Sequence, residues 1–522
     1  MRFLKSGHYV IEIDPRLKQL TGNSLELKVT EEQFCNALKG YKLDEFLIFL
    51  AEISAKLYDL NFTENTVWKK EKNGFIIHKP TNQYLTDFAI EYIANILLIS
   101  GSNNFKCESI KNKDNIIGVF NIYNNSIILP IEKYESVSSI LVPMYYQQMT
   151  SQQSIKDVFV RQWLIFQKSQ ELVNENSRLD LDAILLEKSG MTVMEYVKLC
   201  FLILAAILNK PRFNSGTFER STISGMDDVL NKNKITAILR QLTVTQKEFI
   251  ELDQKFNSKL KPEYTKSRYN PLWEKPIITL GENDYVVPSL SAYVKGALRG
   301  LYWIFENDIG KTFRDYFGTL FENYCGIVIR DIFGDTNVRH GLKFGKENNE
   351  FFDWIVNDKK EVILFETKGY QFPLETLQTG DSYLIRKAVS QNLVETIKQM
   401  YNRSQDIPKY EELKEFRNKK ITYVGVYYDI PLVSANLYDA DIKLNLDILD
   451  STYRGIKEFN YIFLSIEELE NFVLVKDFIS IEALIDKVKN TTGSGVLGEI
   501  NRIYNEKNPS QLQYKTLLDK KF

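Results

Sequence analysis

The sequence has few of the residues on which zinc sites and disulfide frameworks depend. Its four cysteines and three histidines are scattered along 522 residues: Cys35, Cys107, Cys200, Cys325, His8, His78 and His340. They show none of the short spacings typical of zinc ligands, which argues against a zinc cluster. Each cysteine lies in or beside a largely apolar segment, which predicts reduced, mostly buried thiols in a cytoplasmic protein.

An excess of positive charge and long apolar runs are also lacking. The formal net charge is −2, so the chain has no overall basic field of the kind that marks many nucleic-acid-binding proteins. Any contact with nucleic acid must therefore come from a local basic surface. The most apolar run, residues 199–208, is much shorter than the roughly 20 residues needed to span a bilayer. The N-terminus lacks the apolar core of a secretion signal, so we expect no membrane segment.

Two common catalytic motifs are missing as well. No phosphate-binding loop of the form Gly-x-x-x-x-Gly-Lys-[Ser/Thr] occurs, and residues 341–346 have the wrong spacing and no hydroxyl after the lysine. No Gly-x-Ser-x-Gly elbow appears between a strand and a helix. An ATP-driven motor and a serine hydrolase are therefore not expected.

What is present indicates a multidomain protein of ordinary globular composition, with 44% apolar and 26% charged residues. The pattern of apolar residues predicts an α/β (α+β) fold, with a helix-rich N-terminal region followed by a mixed sheet flanked by helices. We divide the chain into a mixed α/β region (1–150), a mainly helical region with a hairpin (151–305), the mixed-sheet domain (306–470) and a helical C-terminal extension (471–522).

One stretch of the mixed-sheet domain concentrates acidic side chains. Residues 351–356 and 362–369 are rich in β-branched and aromatic residues, and the turn-like segment between them predicts a β-hairpin. Alternation along the second strand places Glu366 and Lys368 on one side, and Asp353 is expected on the partner strand. Two carboxylates so close repel each other unless a cation lies between them. Oxygen ligands of this kind suit Mg²⁺ or Mn²⁺.

The pattern of Asp353 followed by Glu366-Thr367-Lys368 resembles the PD-(D/E)XK, or restriction-endonuclease-like, nuclease superfamily. Residues 317–324 are similar to the first core helix of that fold, and residues 384–400 to the helix that follows the hairpin. The resemblance covers about residues 310–430 and implies the restriction-endonuclease-like sheet. The sequence departs from the pattern at Phe352, which stands where the family name has proline.

The resemblance implies a metal-dependent nuclease that hydrolyses phosphodiester bonds, of DNA, in bacterial restriction or phage defence. It implies that Asp353 and Glu366 hold the metal, with the carbonyl of Thr367 as a further ligand. Lys368 would hold or activate the attacking water. Glu322, on the first helix, is either an additional metal ligand or an ordinary exposed helix residue.

Candidate nucleic-acid contacts lie on both sides of the hairpin. Many members of the superfamily carry a glutamine on the helix after the hairpin, and several basic residues flank the acidic strands. The candidates are Gln391, Gln399, Arg339, Lys343, Lys346, Arg386 and Lys387. Each of them could equally belong to a solvated face. The N-terminal region would recognise the substrate, a partner protein or a second copy of the chain.

The tripeptide alone is not specific, because acid-x-lysine also occurs at residues 26–28, 253–255 and 412–414. Glu366 and Lys368 could instead form an exposed ion pair on a surface hairpin, worth at most about 1 kcal/mol. Two other functions stay open. One is a catalytically inactive nucleic-acid-binding or scaffold protein that keeps the nuclease fold, and the other is an RNA-directed enzyme with the same chemistry.

Overall fold

The computed structural model describes the greater part of the chain. The described residues are 2–3, 9–10, 31–57, 69–71, 74–76, 87–104, 106–110, 135–148, 155–219, 231–261, 267–357, 362–431, 433–434, 437–490 and 495–507. The predicted turn of the hairpin, residues 358–361, lies outside them, as does much of the predicted 1–150 region.

Helices dominate the first three hundred residues. They are Glu31–Leu38, Leu43–Leu57, Asp87–Ser100, Val137–Gln148, Ile155–Trp163 continuing through Leu164–Lys168 and Ser169–Glu171, Leu181–Ser189, Val193–Asn209, Gly216–Glu219, Lys232–Leu242, Gln246–Asn257 and Leu290–Val294 continuing through Lys295–Arg299. Short 3₁₀ turns occur at Glu175–Ser177 and Pro271–Trp273. The same region contains a four-stranded sheet in the order Arg212–Phe213, Asp284–Val286, Ile277–Gly281 and Thr243–Val244. The predicted hairpin in this region is confirmed, because Ile277–Gly281 pairs antiparallel with Asp284–Val286.

A five-stranded sheet forms the centre of the second half. Its strands are β1 (Val338–His340), β2 (Trp354–Asn357), β3 (Val362–Gln371), β4 (Ile421–Asp429) and β5 (Tyr461–Ser465), in the spatial order β5-β4-β3-β2-β1. The pairs β1–β2 and β2–β3 are antiparallel, whereas β3–β4 and β4–β5 are parallel. The predicted hairpin of β2 and β3 is therefore confirmed, within a mixed α/β fold.

The remaining elements flank this sheet or extend it. The helices α1 (Gly300–Phe333), α2 (Ser382–Val389) and α3 (Glu395–Ser404) adjoin the candidate site. Further helices are Leu374–Thr379, Asp439–Leu449, Ile466–Phe472, Ile481–Asn490 and Val496–Lys507, with 3₁₀ turns at Asp335–Asn337, Glu411–Phe416 and Ile456–Glu458. Three two-stranded ladders complete the described strands: Arg2–Phe3 with Tyr9–Val10, Lys69–Glu71 with Gly74–Ile76, and Lys343–Phe344 with Asn349–Glu350.

Alternation along β2 and β3 gives the sheet two apolar faces. Trp354 and Phe365 belong to the core that also contains the buried residues of α1, whereas Ile355 and Leu364 belong to the core beneath α2 and α3. Such alternation is what a sheet covered by helices on both faces requires. One detail of the prediction was wrong: Asp353 lies in a bend directly before β2, not within the strand.

The helix α1 packs on the sheet through a close contact with β2. A Cβ atom at Gly326 would lie 2.0 Å from the indole of Trp354, so only glycine lets the helix approach so near. The indole also donates a hydrogen bond of 2.9 Å to the carbonyl of Glu322. Near its other end the helix bends at Gly310, where φ is 54° and ψ is −125°. This contact fixes the position of Glu322 relative to the hairpin.

The segment predicted as one helix after the hairpin consists of α2 and α3, joined by a π-helical turn, Ser390–Val394. A π-helical turn contains one more residue than an α-helical turn and rotates the side chains that follow it. The residues beyond it therefore face a direction that a regular α-helical pattern does not predict.

The connection between β3 and α2 contacts the N-terminal half of the protein. Its short helix contains Gln378, whose buried amide donates a 3.1 Å hydrogen bond to Asn257. At the start of α2, the hydroxyl groups of Ser382 and Ser139 lie 2.7 Å apart. Gly380 packs so closely against Ser139 that a Cβ atom added at Gly380 would lie 2.1 Å from the carbonyl oxygen of Ser139. The long connection thus packs against the Val137–Gln148 helix.

Contacts across the predicted domain boundaries are extensive. The boundary between residues 305 and 306 falls inside α1. Arg161 forms a buried bidentate pair with Glu470, with nitrogen–oxygen distances of 2.7 and 2.6 Å, and Tyr324 donates a 2.6 Å hydrogen bond to the same carboxylate. The four-part division stays a prediction.

In the described part of the chain, no single helix combines the length and apolar composition needed to cross a membrane. The segments Glu175–Ser189 and Val193–Asn209 have the required length and apolar composition only when they are taken together, and a bend of 59° separates them.

Candidate active site

Glu366 lies at the centre of the candidate site, on β3. Its side chain is only 2% exposed. One carboxylate oxygen accepts a 2.8 Å hydrogen bond from Lys368 Nζ, and the other accepts one from the guanidinium of Arg403. A buried carboxylate is costly unless such partners neutralise it. The predicted pair of Glu366 and Lys368 is therefore not an exposed surface ion pair.

The helix α3 supplies two of the groups around this carboxylate. Gln399 accepts a 3.0 Å hydrogen bond from Lys368 Nζ, and Arg403 follows four residues later. Side chains four apart lie on the same face of a helix. Gln399 and Glu366 together hold the ammonium group of Lys368, whose side chain is 31% exposed.

Asp353 is half-buried between the hairpin and α1. One of its carboxylate oxygens accepts hydrogen bonds from the backbone N–H and the hydroxyl of Thr367, at 2.7 and 2.8 Å. Burial, together with the negative charges of Glu366 and Glu322, raises the pKa of Asp353 to about 7, although the hydrogen bond from the Thr367 N–H and the charge of Lys368 act to lower it. The carboxylates of Glu366 and Glu322 are thus both close enough to Asp353 to interact with it electrostatically.

Glu322 lies next to Asp353 through its position on α1. Its carboxylate is 2.7 Å from Nε2 of His340, which is on the edge strand β1. The ring of His340 lies 4.3 Å from that of Trp354, centroid to centroid. Of the two alternatives for Glu322, the structure places its carboxylate beside the site and partly exposed, where it interacts with Asp353.

The raised pKa of Asp353 predicts a pH-dependent change in stability. An unfolded aspartate loses its proton near pH 4, whereas Asp353 in the folded protein keeps it until about pH 7. The free energy of unfolding should therefore fall as pH rises through this window. Asp353→Asn removes the penalty, so without divalent metal the variant should be more stable than the wild type by about 2 kcal/mol at pH 8.

Urea denaturation in EDTA at pH 4.5 and pH 8 measures this difference, which should shrink toward the lower pH. The matched control is Asp477→Asn, because Asp477 is a largely exposed carboxylate. An Asp353→Asn variant that is equally destabilised at both pH values would contradict the expectation.

The predicted nucleic-acid contacts fall into different environments. Gln399 faces the site, whereas Gln391, in the π-helical turn, is exposed. Arg339 forms a bidentate pair with Glu415 at 2.7 Å, and Arg386 pairs with Asp441 at 3.2 Å. Their charges are thus already compensated. Three lysines are exposed and form no ion pair with another described residue: Lys343, Lys346 and Lys387.

Sequence reasoning missed Arg403 as a part of the site. The signal for it was present, because Arg403 lies one helical turn after the candidate Gln399. His340 was considered only as one of three scattered histidines, and it is the partner of Glu322. Neither pairing follows from local sequence, since the partners lie on different elements.

The donor atoms at this location fit a hard divalent cation. Within the described residues, no three histidine, cysteine, aspartate or glutamate side chains form a ready-made metal-binding group. Magnesium, however, is commonly held by one or two carboxylates together with water and substrate phosphates. Asp353 and Glu366 supply two carboxylates, and a cation would offset both the burial and the mutual repulsion that raise the pKa of Asp353. The N–H and C=O of a strand residue point to the same edge, so the Thr367 carbonyl lies on the side of Asp353.

No protein-family model matches this sequence, and no curated protein matches it. Functional conclusions therefore depend on the geometry of the site.

Proposed function

We propose that this protein is a divalent-metal-dependent nuclease that hydrolyses phosphodiester bonds of DNA. The observation that carries the proposal is the arrangement of Asp353, Glu366 and Lys368. Two carboxylates, one buried and one with a raised pKa, adjoin the ammonium group of Lys368, whose side chain is 31% exposed. An acid with a perturbed pKa beside an accessible charged partner is typical of catalytic sites.

The order of elements around the site supports a restriction-endonuclease-like arrangement as part of this proposal. The helix α1 precedes three antiparallel strands, the helices α2 and α3 follow them, and β4 then adds parallel to β3. This order brings the hairpin acids and α3 to the same edge of the sheet. This topology and the resemblance to PD-(D/E)XK nucleases drawn from the residues both support the proposal.

Each residue of the site has a distinct role in the proposed reaction. Asp353, Glu366 and the Thr367 carbonyl would hold Mg²⁺ or Mn²⁺, and Glu322 is placed to add a further carboxylate. The cation would stabilise charge on the phosphate oxygens and lower the pKa of a bound water. Lys368, fixed by Glu366 and Gln399, orients the attacking water and offsets the negative charge that develops on the phosphate.

Residues 1–305 have no catalytic group assigned to them in this proposal. They would recognise the DNA, a partner protein or a second copy of the chain. Bacterial restriction or phage defence is the biological role that we propose for such an enzyme.

A nuclease of this type should cleave DNA only when a divalent cation is supplied. We expect the purified protein to cleave plasmid DNA in Mg²⁺ or Mn²⁺, to lose that activity in EDTA, and to leave a structured RNA of similar length intact. Gel electrophoresis of parallel DNA and RNA digestions measures both properties. Cleavage of RNA alone would indicate the RNA-directed alternative, and no cleavage of either substrate with either metal would contradict the nuclease proposal.

One observation favours a second function, a catalytically inactive nucleic-acid-binding or scaffold protein. Both oxygens of Glu366 already accept hydrogen bonds from cationic side chains, which is an arrangement that can stabilise a fold without metal. Calorimetric titration with Mn²⁺ separates the two functions. The nuclease should bind Mn²⁺ and lose that binding in Glu366→Gln, whereas the scaffold should show no binding that depends on Glu366.

A further inference from the structure

The guanidinium of Arg403 hydrogen-bonds the carboxylate oxygen of Glu366 that Lys368 does not contact. Lys368 hydrogen-bonds Oε1 and Arg403 hydrogen-bonds Oε2. The carboxylate is 2% exposed, so no solvent-facing oxygen remains. A carboxylate in this arrangement has little capacity to ligate a cation until one of the two donors leaves.

Arg403 is better placed to leave than Lys368. The ammonium of Lys368 has a second acceptor, Gln399, at 3.0 Å, and lies only two residues from Glu366 on the same strand. Among the described residues, the guanidinium of Arg403 donates only to Glu366, and its other contact is the face of the Phe352 ring at 5.7 Å. Arg403 also lies in the last turn of α3, which ends at Ser404.

We propose that Arg403 competes with the divalent cation for Glu366 and acts as a latch on the metal site. This inference rests on the proposed metal-dependent function and adds a regulatory residue to it. While Arg403 is bound, the buried charge of Glu366 is neutralised and the fold is stable without metal. When Arg403 leaves, Glu366 can ligate the cation, and a guanidinium remains beside the site.

The released side chain has the chemistry to recognise the substrate. A guanidinium offers several N–H donors in a planar array that matches a phosphate, and charge-assisted pairs of this kind are among the stronger hydrogen bonds in proteins. A backbone phosphate of DNA would thus draw Arg403 away from Glu366. Substrate binding and metal binding would then favour each other, because any coupling between two ligands is reciprocal.

The test compares Mn²⁺ binding to the wild type and to Arg403→Gln by isothermal titration calorimetry in the absence of DNA. Removing the competitor should tighten Mn²⁺ binding by about tenfold, the effect expected from one charge-assisted hydrogen bond. Arg403→Lys, which keeps a cation without the planar donors, should fall between the two. The matched control is Arg212→Gln, because Arg212 also pairs with a carboxylate, that of Asp284 in the four-stranded sheet, and its replacement should leave Mn²⁺ affinity unchanged.

Thermal unfolding provides a second readout that does not depend on activity. Without metal, Arg403→Gln should melt at a lower temperature than the wild type, because Glu366 is left with one cationic partner. Its melting temperature should rise more than that of the wild type when Mn²⁺ is added.

The outcomes are distinguishable. Tighter Mn²⁺ binding by Arg403→Gln supports the latch. Glu366-dependent binding by the wild type with equal or weaker binding by Arg403→Gln overturns the latch and leaves the nuclease proposal standing. No Mn²⁺ binding by either protein overturns both.

Discussion

Replacing Glu366 with glutamine is expected to reduce DNA cleavage by about a thousandfold or more. The amide keeps the size of the side chain but removes the negative charge that would ligate the cation. It also leaves one acceptor oxygen, where the carboxylate offers two, for the cationic donors Lys368 and Arg403. The rate of conversion of supercoiled plasmid to nicked and linear forms, at saturating Mg²⁺, measures the loss.

The chain provides its own control for this experiment. Glu412 begins another acid-x-lysine tripeptide, and its carboxylate accepts a hydrogen bond from the backbone N–H of Gly345 at 3.2 Å, away from the cluster around Glu366. Glu412→Gln should cleave at the wild-type rate. Activity of Glu366→Gln within tenfold of the wild type would refute the assignment of the active site.

The second large effect concerns stability, at the contact between α1 and the hairpin. Gly326→Ala would place a methyl group 2.0 Å from the buried indole of Trp354, so either the ring or the helix must move. We expect a loss of about 3 kcal/mol in the free energy of unfolding, at the upper end of the range for overpacked cores. Equilibrium denaturation in urea measures it.

The same helix offers a matched control for this substitution. At Gly318, an added Cβ would meet no atom within 4 Å, so Gly318→Ala should be neutral or more stable by about 0.5–1 kcal/mol because alanine favours the helix. Equal effects of the two substitutions would show that the Gly326 contact does not determine how the helix packs.

The local alternation of apolar residues was sufficient to predict the hairpin and the pairing of its two strands. The apolar alternation of β2 and β3 specifies which side chains share a face, and the observed pairing of Ile355 with Leu364 and of Trp354 with Phe365 follows it. Extending that register by one position sets Asp353 opposite Glu366. The pairing of strands across a hairpin depends on residues that are close in sequence, and for this reason it was predictable.

Pairings between distant segments were not predictable. Arg339 lies 76 residues from its partner Glu415, and Arg386 lies 55 residues from Asp441. A search of the sequence for basic residues near the acidic strands does not reveal that the charges of Arg339 and Arg386 are already compensated. Long-range ion pairs depend on how α2, the sheet edge and later segments pack, which no local pattern encodes.

The helix after the hairpin shows a different limit of sequence reasoning. In a regular α-helix, Gln391 and Gln399, which are eight residues apart, would lie close to one face. The π-helical turn Ser390–Val394 contains Gln391 and interrupts that regularity. Gln399 reaches Lys368 and Gln391 does not, because an added residue in one turn rotates everything beyond it.

The ring of Phe166 lies among the rings of Phe305, Phe313 and Phe317, at centroid distances of 5.9, 6.4 and 6.1 Å. The helix α1, which leads into the five-stranded sheet, thus shares its apolar core with a residue from the preceding half of the chain. A fragment beginning near residue 306 would expose the rings of Phe313 and Phe317 to water and tend to precipitate. Transferring the proposed activity to another protein would require carrying the earlier helices along with it.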